Sequence, residues 1–182
     1  MKAGYQALLL IGLLIATLVP SSILARFYSP SKAGVATNPS KINDYEKVKP
    51  AFTPPNAVFG VVWPILYILQ AVALWLVLRN SKQLLNGSDG EKAIMIGLPI
   101  LFGLQLILNY VWMVVFYQGG IKAYRDALWV LVTLMLFVVW IWVLLLKANT
   151  LAAFLWVPYL IWVPFAILMN ARVVTKSRLI LD

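Results

Sequence analysis

Five stretches of this chain carry no charged side chain, and they constrain its fold more than any other feature. They run from Ala3 to Ala25, Pro50 to Leu78, Ala93 to Ile121, Ala127 to Leu146 and Ala148 to Ala171. Each holds at least the roughly 20 residues that an α-helix needs to cross about 30 Å of hydrocarbon. The runs are long and do not alternate polar with apolar, which argues against transmembrane strands. The spacing predicts transmembrane helices over about 5–25, 57–79, 93–117, 125–146 and 151–171. The expected fold is an all-α integral membrane protein, a five transmembrane helix bundle forming one domain over 1–182. Hydrophobic residues make up 63% of the chain and charged residues 12%, where a soluble domain has about 25% charged. A soluble fold of this length has too little interior for so much apolar surface.

The first run admits two readings. Lys2, an apolar stretch and the small residues Ser21, Ser22 and Ala25 also resemble a signal peptide, although the run exceeds the usual h-region of about 7–15 residues. Orientation follows from the basic residues between the runs. Lys2, Arg79, Lys82, Lys92 and Lys147 fall on one side. Arg26, Lys32, Lys41, Lys47, Lys49, Lys122, Arg125, Arg172, Lys176 and Arg178 fall on the other. The positive-inside rule puts the second set, and with it the C-terminus, in the cytosol. The expected location is a multi-pass site in a bacterial inner membrane or an organelle membrane. The net charge of +9 then reads as topology and contact with lipid head groups. It forms no long basic run outside the membrane, so no nucleic-acid partner is expected.

The chain has no Cys and no His. That removes disulfides, thiolate metal sites, the commonest general base and the usual zinc and haem ligands. No metal site is expected, and no cofactor is required. No Asp, Glu, Lys or Arg lies deep in a run, which argues against a charge-coupled carrier.

The runs carry aromatic and amide side chains at helical spacing. Trp63, Tyr67 and Gln70 share one face of the second helix, and Gln105, Asn109 and Trp112 one face of the third. Trp129, Thr133, Phe137 and Trp140 form a stripe on the fourth, from which Trp142 is offset. Tyr159, Trp162, Ala166 and Asn170 form one on the fifth. An amide facing lipid leaves its polar atoms unsatisfied at a cost of several kcal/mol. Gln70, Gln105, Asn109 and Asn170 are therefore expected to face inward and to bring the neighbouring rings with them. Two readings stay open: an aromatic pocket for a large, flat, mostly apolar ligand, or amides as glue between helices with Trp129, Trp142 and Trp156 as interfacial belts. Pro64, Pro99, Pro158 and Pro164 are candidate kinks. The long first loop, 26–56, ends in Pro54-Pro55-Asn56. The prolines force an extended approach to the second helix, and Asn56 is its expected N-cap.

Three ordered blocks carry a family resemblance. Lys49-Pro50-x-Phe52-x-Pro54-Pro55 precedes Phe59-Gly60-x-x-Trp63-x-x-x-Tyr67. Gln105-Leu106-x-Leu108-Asn109-x-x-Trp112 with Phe116 follows. Pro158-Tyr159-Leu160-x-Trp162-x-x-Phe165-Ala166 runs on to Asn170. Together they resemble the translocator protein or tryptophan-rich sensory protein family (TspO/MBR, the peripheral-type benzodiazepine receptors) over about 45–172. The resemblance implies a five-helix bundle, usually a homodimer, with a pocket beneath the first loop. The ligands it implies are porphyrins such as protoporphyrin IX, haem and sterols. By position, Phe52, Trp63, Asn109, Trp112, Tyr159, Trp162 and Ala166 would line that pocket. The expected function is a receptor or transporter-like membrane protein. The alternatives are a light-dependent porphyrin-degrading enzyme, using tryptophans matching Trp63 and Trp162, or a structural membrane-organising protein. Three departures stand out. Many members have Trp at Phe52. Met169 replaces the second Leu of the usual Leu-Asn pair. Ala171 replaces the aromatic residue of the proposed sterol motif, so porphyrin fits the pattern better than sterol.

Overall fold

The computed structural model describes residues 3–28 and 45–181. Five long helices make up most of it: α1 (Ala3–Phe27), α2 (Asn56–Leu78), α3 (Asp89–Phe116), α4 (Ile121–Ala148) and α5 (Thr150–Leu181). All five are long and apolar enough to cross a membrane, and no strand occurs among the described residues. The protein is an all-α membrane bundle. Loop residues 29–44, with Lys32 and Lys41, lie outside the described residues, as does Lys2.

The helices form a ring in the order α1–α2–α5–α4–α3. The α4–α5 and α3–α4 contacts are the most extensive, and α3 meets α1 and α2 only lightly. The inward face of α4 explains the first half of this pattern. Tyr124, Ala127, Leu131, Leu134, Val138, Ile141 and Leu145 are all buried. They repeat every three and four residues, the seam that lets a helix pack knobs-into-holes on both neighbours. The Trp129–Trp140 stripe, which the pocket reading would turn inward, faces outward. Trp129 and Trp140 are 66% and 56% exposed, and Thr133 is exposed beside them. Each Trp lies about 12 Å from the nearer end of α4, facing where lipid would be, deeper than the interfacial belt. Trp156, considered as a belt residue, is instead fully buried, with its indole N–H donating to the Val138 carbonyl at 3.1 Å. Trp142 packs partly buried against the core.

Helix ends depart from the charge-free runs for local reasons. The third helix begins at Asp89, before the charges end, because Ser88 and Glu91 form a capping box. Ser88 Oγ accepts from the Glu91 amide at 3.3 Å, and Glu91 Oε2 accepts from the Ser88 amide at 2.8 Å. Asn56 is the first residue of α2 rather than its cap. Pro55 takes the cap position without a side-chain bond. Asn149 does cap α5, its Oδ1 accepting from the Ala152 amide at 3.0 Å. Gly119 and Gly120, with φ of 73° and 86°, make the tight reversal between α3 and α4.

The last helix runs on to Leu181 rather than stopping near 171. Its 32 residues span about 48 Å, well over the hydrocarbon thickness. The extra turns bury Val173, Val174 and Ser177. The segment before α2 buries Tyr45 and Val48 at the same end of the bundle. Lys176 Nζ donates to the Lys49 carbonyl at 3.0 Å and ties the two together. Glu46 and Lys49 form an ion pair within that segment.

Candidate functional site

The amides of α2, α3 and α5 do face inward. Gln70, Gln105, Asn109 and Asn170 are at most 2% exposed. They spend their hydrogen-bonding capacity mainly on tyrosine and tryptophan groups of other helices, and Gln70 Nε2 is buried with no partner among the described residues. Tyr67 Oη donates to Asn109 Oδ1 at 2.6 Å, and Asn109 Nδ2 donates to Tyr159 Oη at 3.1 Å. Tyr159 Oη donates to Gln105 Oε1 at 3.1 Å, and Gln105 Nε2 donates to Gln70 Oε1 at 2.9 Å. A second, shorter chain runs from Trp112 Nε1 to Asn170 Oδ1 at 3.3 Å and from Asn170 Nδ2 to the Tyr124 carbonyl at 2.8 Å. These are interhelical ties of the kind that small polar groups make in a bilayer.

Beside this network lies a cavity of about 400 Å³, in the lightly joined seam among α1, α2 and α3. From α1 come Ser21, Ser22, Ala25 and Tyr28. From α2 come Asn56, Phe59, Gly60, Trp63, Pro64 and Tyr67. From α3 come Trp112, Met113 and Tyr117. Helical periodicity places them: Asn56, Gly60 and Pro64 form one i, i+4 row of α2, and Phe59, Trp63 and Tyr67 the adjacent row. A Cβ on Gly60 would meet nothing within 4 Å. Pro64 has no N–H, so it withdraws the helical partner of the Gly60 carbonyl on the same wall. Pro20 does the same to Ala16 in α1. Tyr110 of α3 answers there, its hydroxyl donating to the Ala16 and Thr17 carbonyls at 3.3 and 3.0 Å.

The cavity wall is aromatic and uncharged. Trp63 is its hub, stacked on Tyr67 at 5.8 Å between centroids, tilted on Trp112 at 5.9 Å and edge-on to Trp162 at 6.2 Å. Phe59 backs the same assembly, 5.9 Å from Trp162. The polar groups at the wall are the Tyr28 and Tyr117 hydroxyls, the Asn56 amide, and the Ser21 and Ser22 hydroxyls, which donate to the Leu18 carbonyl and are left as acceptors. The Tyr117 hydroxyl is a neutral phenol, able to donate and to accept. No His, Cys, Asp or Glu cluster suited to a metal occurs among the described residues.

Of the seven residues assigned to the pocket from the sequence, Trp63 and Trp112 line this cavity. Trp162 stands behind Trp63, its indole N–H buried with no partner among the described residues. Phe52 is 46% exposed and reaches the assembly through Phe165, whose ring lies 6.3 Å away and 5.4 Å from Trp162. Asn109 and Tyr159 belong to the hydrogen-bonded network. Ala166 is buried in the core, 4% exposed. The α1 wall was not legible beforehand. Small and hydroxyl residues near the end of an apolar run also fit a leader, and their role appears only when α1 packs beside α2. Gly60, Phe59 and Tyr67 were within reach, because they share a motif with Trp63.

Comparison with known proteins agrees with this architecture. A tryptophan-rich protein TspO of Chlorobaculum tepidum is 34% identical over 113 residues, 62% of this chain and 65% of the relative. A tryptophan-rich sensory protein of Cereibacter sphaeroides is 32% identical over 140 residues, 77% of this chain and 79% of the relative. A tryptophan-rich protein TspO of Archaeoglobus fulgidus is 31% identical over 114 residues, 62% and 65% of the two chains. In the first and third, the matched segment spans slightly less than two thirds of the relative. The model of the TspO/MBR family matches residues 16–175, from the middle of α1 almost to the end of α5. The chain belongs to the TspO/MBR family of membrane proteins.

Proposed function

We propose that this protein binds a flat, mostly apolar tetrapyrrole in the cavity among α1, α2 and α3. The observation that carries this reading is the wall itself. About 400 Å³ falls within the range of small-molecule sites, which are typically apolar with a few oriented polar groups. Trp63 and Trp112 offer ring faces to a flat ligand. Hydroxyls and one amide offer neutral hydrogen bonds, and none of the described wall residues carries a charge. Metal-free protoporphyrin IX suits such a wall better than haem, because a chain without His or Cys lacks the usual strong axial ligands. A sterol is the less favoured occupant, because its saturated rings have no π face to stack on the tryptophans. In this reading the protein is a receptor or transporter-like homodimer with its C-terminus in the cytosol.

The test is fluorescence titration of the purified protein with protoporphyrin IX in the dark, for wild type and Trp63→Phe. Saturable binding weakened by the substitution is expected. Binding that is absent, or indifferent to Trp63, would overturn the assignment. A second reading, porphyrin degradation in light, draws on the Trp63–Trp162 contact at the cavity wall. Porphyrin absorbance lost under light and oxygen, with dark affinity unchanged, would favour it. A C-terminal reporter assay checks the orientation.

A further inference from the structure

At the opposite end of the bundle from the cavity, α1 and α2 enclose a groove of about 580 Å³ lined by Gln6, Ala7, Leu10, Trp75, Arg79 and Asn80. Its polar groups are arranged unusually. The Trp75 indole N–H donates to the Gln6 carbonyl at 3.0 Å. Gln6 Nε2 donates to the Arg79 carbonyl at 3.4 Å. That leaves Gln6 Oε1 buried with no donor among the described residues. The Arg79 guanidinium stands over the Trp75 ring, 5.1 Å from its centroid. No carboxylate among the described residues pairs with it. One groove therefore holds a cation without an anion and a buried acceptor without a donor.

Depth says what chemistry can meet both needs. The 23 residues of α2 span about 34 Å, close to the thickness of the hydrocarbon and its boundary. Arg79 follows the last turn directly, at the level of lipid head groups. Ala7, Leu10 and the Trp75 ring supply an apolar floor leading inward. We propose that this groove binds a phosphatidylethanolamine head group. The phosphate accepts from the Arg79 guanidinium, which presents several donors to an oxyanion, and the Gln6 side chain turns its buried Oε1 into the groove to accept from the primary ammonium. Phosphatidylcholine offers the same phosphate but no N–H. Phosphatidylglycerol offers net negative charge and only neutral hydroxyl donors.

Native mass spectrometry of the whole protein in detergent, titrated with the dioleoyl forms of these three lipids, tests the assignment. A hydrogen bond to a charged group is typically worth about a tenfold change in affinity. Wild type should bind phosphatidylethanolamine about tenfold more tightly than phosphatidylcholine. Arg79→Gln should weaken phosphatidylethanolamine about tenfold. Gln6→Leu should abolish the preference over phosphatidylcholine while phosphate-dependent binding persists. Equal binding of the two zwitterionic lipids by wild type would overturn the proposal. So would phosphatidylglycerol binding more tightly than phosphatidylethanolamine, or indifference to Arg79→Gln. Should Arg79→Gln fail to fold, the wild-type ranking and Gln6→Leu decide the matter alone.

Discussion

On the α3–α4–α5 side of the bundle, the aliphatic seam of α4 interlocks with both neighbours and the interior amides are tied across helices. On the α1–α2–α3 side, small residues, a glycine and two prolines leave space that no side chain among the described residues fills. The two sides meet at two side chains of the cavity wall, Tyr67 and Trp112. The Tyr67 hydroxyl closes the network on Asn109, and the Trp112 indole donates to Asn170. Buried amides thus mark the tied interior, where hydrogen bonds offset most of the cost of removing them from water, Gln70 Nε2 alone of these amide groups standing without a partner among the described residues. The ligand-sized space lies where the polar groups are mostly hydroxyls and packing is loose.

The sharpest way to break this contrast is Asn109→Leu. It strands the Tyr67 hydroxyl and removes the donor to Tyr159. An unmatched buried polar group costs about 1–3 kcal/mol, so the melting temperature in detergent should fall clearly. A wild-type melt would mean that the network does not hold the tied interior. Ala166→Thr should act next most strongly on stability. Ala166 is buried, and extra volume in a packed core costs about 1–3 kcal/mol. Because it does not line the cavity, dark porphyrin affinity should change less than the melt. The reverse ranking would move the binding site toward α5.

The open side should respond in the opposite manner. Gly60→Leu places a side chain in space where nothing stands within 4 Å. Titration should show at least a tenfold loss of porphyrin affinity, about 1.4 kcal/mol, with little change in melting. Trp63→Phe removes part of the stacking hub, and aromatic contacts of this kind are worth about 0.5–1.5 kcal/mol. A several-fold weakening is expected. Trp162→Phe should do less, since that ring acts from behind Trp63. Trp129→Phe, on the exposed face of α4, should do nothing in either assay. Trp142 is unsuitable as a control, because it packs on the core.

Much of the fold was legible because charge cannot rest in hydrocarbon, so charge-free length reports a span directly. The inward turn of Gln70, Gln105, Asn109 and Asn170 was legible for the same reason. The orientation of α4 was misread because its tryptophans drew attention to residue type, although the buried seam from Tyr124 to Leu145 repeats every three and four residues. The capping box at Ser88 and Glu91 was also present in the sequence, and it explains why α3 begins before the charges end.

The sequence by itself determined five membrane spans, a helical bundle and the polar residues that must be buried, since each follows from solvation of one side chain or one helix. Only the tertiary structure decided which buried residues touch space and which touch each other. That depends on how neighbouring helices are paired. Ser21 and Ala25 become a wall only because α1 packs beside α2, whereas Asn109 becomes a tie only because Tyr67 and Tyr159 meet it from two different helices.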